Sequence, residues 1–183
     1  GTANSDSPQI LYCSAQHTSR TGSINEIRNR MNALPEADDI HGYYFEDLSV
    51  GMTASYAKTI TETDIVLFAG ISGDVNPVHL NEECATETMF EGRIAHGMLT
   101  ASFISTVLGT KLPGPGCIYL RQDLRFLAPV RPGDTVHSQI TITDVNAEKK
   151  RVYAHTVCRV GDTSVVEGEA TLFVPNRRKA DAA

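Results

Sequence analysis

The four cysteines of this 183-residue chain, Cys13, Cys84, Cys117 and Cys158, lie far apart and include no CxxC pair. That usage argues against a disulfide framework and for free thiols in a cytosolic setting. Basic residues form no block longer than Arg177-Arg178-Lys179, and the formal net charge is −6. A nucleic-acid surface and an anionic membrane are therefore poor partners. Gly1 to Leu11 lacks the basic start and apolar run of a signal peptide. The one long stretch without Asp, Glu, Lys or Arg, Ile94 to Thr110, is too short and too rich in Gly, Ser and Thr to span a bilayer. No internal repeat is visible. What remains is 41% hydrophobic and 21% charged, the composition of a soluble globular protein of one ordinary domain.

Residues 1–42 form an N-terminal arm, 43–175 the main domain, and 176–183 a basic tail. Within the arm, Ser23-Ile24-Asn25-Glu26 has the form of a capping box. Ile24, Ile27, Met31 and Leu34 follow at helical spacing until Pro35. In the domain, a first strand is expected at about Thr53 to Ile60. Thr61-Glu62-Thr63-Asp64 then opens a helix that carries Ile65, Phe68, Ala69 and Ser72 to Gly73. Asn81 caps one or two turns, and a second clear helix runs from about His96 to Leu108, stopped by Gly109.

From Cys117 onward the period changes to two. Ile118, Leu120, Leu124 and Phe126 share one parity, as do Val136, Ile140 and Ile142, then Val152, Ala154 and Cys158, then Val166, Ala170, Leu172 and Val174. With the early strand this makes an antiparallel sheet of about five strands and one apolar face. The element apolar nearly all round is the helix carrying Met98, Leu99, Phe103, Ile104, Val107 and Leu108. The fold class is thus α+β, a sheet wrapped around a central helix.

Two stretches carry chemistry. In Gly73-Asp74-Val75-Asn76-Pro77-Val78-His79, Asn76-Pro77 breaks any helix and lets Asp74 and His79 face one cavity. A carboxylate beside an imidazole can take one proton and give another. The plainer alternative makes Asp74 a local turn with Asn76 and His79 a surface residue. In His96-Gly97-Met98-Leu99 the first N–H groups of the helix have no partners within it, and Gly97 lets a ligand carbonyl approach them closely. Its alternative is a glycine that merely permits tight packing. Ser102 and Ser105 share a helix face that Leu108 continues; a hydroxyl there lines an acyl pocket or bonds back to its own helix. Asp74, His79 and His96 are also a two-His-one-carboxylate set, though their spacing is not specific for a metal. His137 and His155 fall on polar strand faces, and Arg121, Arg125 and Arg131 meet a phosphate or simply solvent.

These two motifs together closely resemble the MaoC-like (R)-specific enoyl-CoA hydratases, over about Phe45 to Val174 and including Pro113-Gly114-Pro115-Gly116 and Gly133-Asp134. The resemblance implies a hot-dog fold, a cytoplasmic homodimer and a role in fatty-acid metabolism or another acyl-CoA route. It implies syn hydration of trans-2-enoyl-CoA to (R)-3-hydroxyacyl-CoA, with acyl-CoA as substrate (acyl carrier protein being the other carrier) and with no metal or cofactor. Carried onto this chain, Asp74 and His79 activate the water and the Gly97 N–H binds the thioester oxygen. Asn76, Ser105 and Leu108 belong to substrate binding. The rivals are a hot-dog acyl-CoA thioesterase and a non-catalytic acyl-CoA-binding partner subunit.

Overall fold

The computed structural model describes residues 40–177. The expected helix over residues 24–34 lies outside the described residues. Along the chain come a 3-10 turn (Phe45–Asp47), β1 (Thr53–Thr59), α1 (Glu62–Ser72), α2 (Pro77–Leu80), α3 (Glu82–Thr86) and α4 (Gly97–Thr110). Then follow β2 (Ile118–Phe126), β3 (Thr135–Asn146), β4 (Arg151–Val160) and β5 (Thr163–Phe173). The five strands form one antiparallel sheet in the order β1-β3-β4-β5-β2. The β3–β4 and β4–β5 pairs are hairpins. β2 instead goes to the far edge beside β5, so the chain crosses the sheet to begin β3.

The period-two reading of the three inner strands holds. Val136, Ile140, Ile142, Val152, Ala154, Cys158, Val166, Ala170, Leu172 and Val174 are all buried. Against them lies α4, whose Phe103, Ile104, Val107 and Leu108 fill the concave face, with Phe103 edge-on to Tyr56 at 5.7 Å. Burying a side chain of this size is worth about 1.5–3 kcal/mol, so this helix–sheet contact contributes substantially to the domain's stability.

Two sequence expectations need correcting. The apolar parity of β2 is largely uncovered: Ile118, Leu120 and Phe126 are exposed, and only Leu124 is tucked against the core. β2 is an edge strand, with an irregularity between Tyr119 and Arg121, and its outer side has no strand partner among the described residues. Second, α4 is not alone in being apolar nearly all round. Past its first turn α1 reads Ile65-Val66-Leu67-Phe68-Ala69-Gly70-Ile71, yet only Ile65 and Ala69 are buried.

The domain's contacts reach slightly past residues 43 and 175. The Gly42 N–H donates to the Pro115 carbonyl at 2.8 Å. At the other end the Arg177 guanidinium bonds both carboxylate oxygens of Asp47 and lies over the Tyr44 ring at 4.7 Å.

Candidate active site

The site begins where α1 is made to stop. Thr61 caps its start, its hydroxyl accepting the Asp64 N–H while the Asp64 carboxylate accepts the Thr61 N–H. Gly73 ends it in the left-handed region at φ 76°, a conformation that costs an L side chain strain. The chain then turns through Asp74, whose backbone N–H donates to Ser72 Oγ and whose Oδ1 accepts the Asn76 N–H at 3.3 Å. Asn76 caps α2 through its Oδ1 and the Val78 N–H, Pro77 sits in the first turn, and α2 is just long enough to carry His79 inward. Asn81 caps α3 directly afterward.

Both alternatives for the turn are therefore partly realised. Asp74 does make the local turn, with one oxygen. Its other oxygen, Oδ2, lies 3.9 Å from His79 Nε2. His79 is no surface residue: it is 8% exposed, and its Nδ1–H donates to the Ile94 carbonyl at 2.9 Å. A carbonyl can only accept, so Nδ1 carries a proton, and in the neutral ring Nε2 presents a lone pair. A carboxylate oxygen and a ring lone pair are both acceptors and cannot bond each other. A water about 2.8 Å from each can instead donate one O–H to Asp74 and the other to His79. The gap is the right size for that molecule.

His96 stands beside the pair. Its Nε2–H donates to the backbone carbonyl of Asp74 at 2.9 Å, and its ring stacks on that of His79 with centroids 3.8 Å apart and planes inclined by 31°. Donor atoms of Asp74, His79 and His96 lie within 4.8 Å of one another, as in a metal triad. Imidazole coordinates through in-plane lone pairs, and two rings lying one over the other with planes only 31° apart do not readily aim these at one centre. The three fit a hydrogen-bonded cluster better than a coordination sphere.

Asp74, His79, His96 and Gly97 line a cavity of about 510 Å³. Its remaining wall is mainly apolar and includes Met89, Phe90, Ile94 and the run Phe126-Leu127-Ala128-Pro129-Val130. The Ala95 N–H bonds to the Val130 carbonyl at 2.7 Å, tying the entry to α4 to that run. Gly97 is the first residue of α4, so its N–H has no partner within the helix. A Cβ at Gly97 would lie 2.8 Å from the Phe126 ring. The glycine thus permits close packing and leaves its backbone on the cavity wall, so neither of its two readings displaces the other.

The remaining sequence candidates fall elsewhere. Asn76 is the cap of α2 and does not line the cavity. Ser102 bonds back to the Leu99 carbonyl, and Ser105 is on the exposed side of α4. Leu108 does not continue that side; three residues advance about 60° short of a full turn, which puts it wholly in the core. Arg121 and Arg125 pair with Asp123 and Glu167, and Arg131 donates to the Phe90 carbonyl. His155 lies 3.2 Å from Glu167. Burial pushes the Cys117 and Cys158 thiols up from their ordinary range, and neither lines the cavity. Sequence reasoning missed the apolar wall from Phe126 to Val130. Its signal was the apolar run that continues past the end of β2 from Phe126 to Val130.

An antiparallel sheet packed over one central helix, with a carboxylate–imidazole pair at a broken helix beside that helix's start, is the frame that positions the site. The profile described as "MaoC like domain" matches residues 49–165, and the chain belongs to that family. It is 58% identical over 141 residues to the (R)-specific enoyl-CoA hydratase of Rhodospirillum rubrum, covering 77% of this chain and 98% of that one. It is 49% identical to the 3-hydroxybutyryl-CoA dehydratase of Methylorubrum extorquens, covering 81% and 92%. Among solved structures it resembles the unliganded R-hydratase of Pseudomonas aeruginosa with a TM-score of 0.70 at 42% identity, covering 74% and 88%. The architecture is the hot-dog fold.

Proposed function

We propose that this protein is an (R)-specific enoyl-CoA hydratase that adds water syn across trans-2-enoyl-CoA and catalyses the reverse dehydration. The observation that carries the site assignment is the 3.9 Å gap between Asp74 Oδ2 and His79 Nε2 on the wall of an apolar cavity that Gly97 also lines. Water bound in that gap attacks C3 as it gives one proton to the pair, and the pair delivers that same proton to C2 from the same side. Charge gathering on the thioester oxygen is met by the Gly97 N–H at the start of α4, where the helix dipole favours an anion. No step calls for a metal or redox cofactor.

The proposal includes a homodimer acting on acyl-CoA in the cytoplasm. Uncovered Ile118 and Leu120 on the edge strand support a partner there. Ser105, exposed on α4, reaches an acyl pocket only if a second subunit closes one over it; Asn76 contributes by holding α2 and so His79.

The test is hydration of crotonyl-CoA. Asp74→Asn and His79→Ala should each lower turnover at least about a hundredfold. An active parent whose two variants both keep near-parental turnover would sink the assignment. Release of free CoA in place of hydrated product would move the protein to the thioesterases.

A further inference from the structure

We infer that His96 is a positioning residue, the side chain that fixes Asp74 against His79; this rests on the hydratase reading above. It touches both members of the pair. Its edge holds the Asp74 carbonyl at 2.9 Å, and its face lies on the His79 ring at 3.8 Å. Phe68 supports the same ring at 5.0 Å, and the side chain is buried, with 1% of the residue exposed.

Apart from its place on the cavity wall, nothing else around it among the described residues calls for an imidazole. His96 occupies the cap position of α4, where Ser, Thr, Asp or Asn would hold a first-turn N–H, yet its side chain makes no cap bond. Its Nδ1 is buried with no hydrogen-bond partner among the described residues. A buried acceptor left unpaired and a cap left unmade both cost stability. The polar edge of His96 is used once, on the backbone of Asp74.

Asp74 needs that hold. Its turn is otherwise fastened by the Ser72 hydroxyl at 3.2 Å, by its own Oδ1 at 3.3 Å and by the Val75 N–H on the Gly73 carbonyl at 3.1 Å, all at exposed positions. The carboxylate itself is half exposed. With the carbonyl released, the gap that seats the water is no longer fixed. Substrate still enters the apolar cavity, so the loss falls on kcat rather than KM.

Three variants separate this role from a structural one. Glutamine can place its amide N–H about where Nε2 stands, asparagine stops short of it, and phenylalanine keeps the ring without a donor. His96→Phe and His96→Asn should lower kcat about ten- to a hundredfold with KM within about threefold, as a misplacement near 1 Å does. His96→Gln should stay within about fivefold of the parent. In an Asp74→Asn background, His96→Asn should cost less than about twofold more, because its effect passes through the carboxylate. Equal losses in Gln and Asn variants, or an undiminished loss on top of Asp74→Asn, would overturn the inference. So would parental kcat in His96→Asn. A parent inactive on crotonyl-CoA defeats the hydratase reading instead, so the two failures are distinguishable.

Discussion

Gly97→Ala puts the oxyanion assignment at risk. The added methyl would lie 2.8 and 2.9 Å from two carbons of the Phe126 ring. Ordinary contact begins near 3.4 Å, so the ring must retreat by roughly half an ångström. Phe126 is 54% exposed at the end of β2 and can do so, at a cost of order 0.5–1.5 kcal/mol. Alanine in place of glycine returns up to about 1 kcal/mol of helix propensity. The two nearly cancel, and the melting temperature should move by no more than about 4 °C. Activity should respond quite differently. The methyl stands beside the one N–H assigned to the thioester oxygen, and losing such a donor typically costs about 10² to 10³ in kcat. The assay is crotonyl-CoA hydration, run beside Phe126→Ala and the double variant Gly97→Ala/Phe126→Ala. If the glycine serves ligand approach, removing the ring does not rescue the alanine. If the double variant recovers to within about threefold of Phe126→Ala, the glycine exists to seat the ring and the oxyanion site must be sought elsewhere.

Two other outcomes follow from the fold. The Lys58 ammonium, aided by the Thr61 hydroxyl and N–H, holds the Asp64 carboxyl down to about 2 from its ordinary 3.8. A depressed carboxyl contributes stability above its unfolded value and loses it as pH falls through the folded one. Asp64→Asn should therefore melt below the parent at pH 7, with the difference shrinking between about pH 4 and pH 2; a constant difference across that window would refute the capping account. At the β2 edge, Leu120→Lys should shift the protein toward monomer in sedimentation and lower activity with it, while a parent that sediments as a monomer would remove the two-subunit proposal.

Much of the architecture was legible because its signals are local. The alternation in β3 to β5, the capping boxes and the glycines at turns each lie within a few residues of what they control. In the site, the break at Asn76-Pro77 made the meeting of Asp74 and His79 legible, but not what holds them. That Asp74 and His79 converge depends on the Ile94 carbonyl, fifteen residues beyond His79, drawing the imidazole inward. The grip of His96 on the Asp74 backbone spans twenty-two residues and leaves no mark in composition or period. Leu108 shows the same limit from the other side, since a three-residue spacing on paper does not say which way a helix is turned toward its sheet.

The comparison of α1 with α4 shows what local pattern leaves undecided. Both are apolar nearly all round, and among the described residues the rule that such a helix seeks burial on most of its surface holds only for α4. α1 leaves Val66, Leu67 and Ile71 exposed, and β2 leaves Ile118 and Leu120. A lone monomer would be paying solvent exposure on a helix and on a sheet edge at once, which supports the reading that a second subunit covers apolar surface here. α1 also ends at Gly73, one residue before the carboxylate, and its Phe68 supports the His96 ring. A partner resting on α1 would press on the element from which the catalytic turn springs. In that arrangement association and activity rise and fall together, and a variant that separates the subunits should lose turnover even though both side chains of the pair remain in every copy.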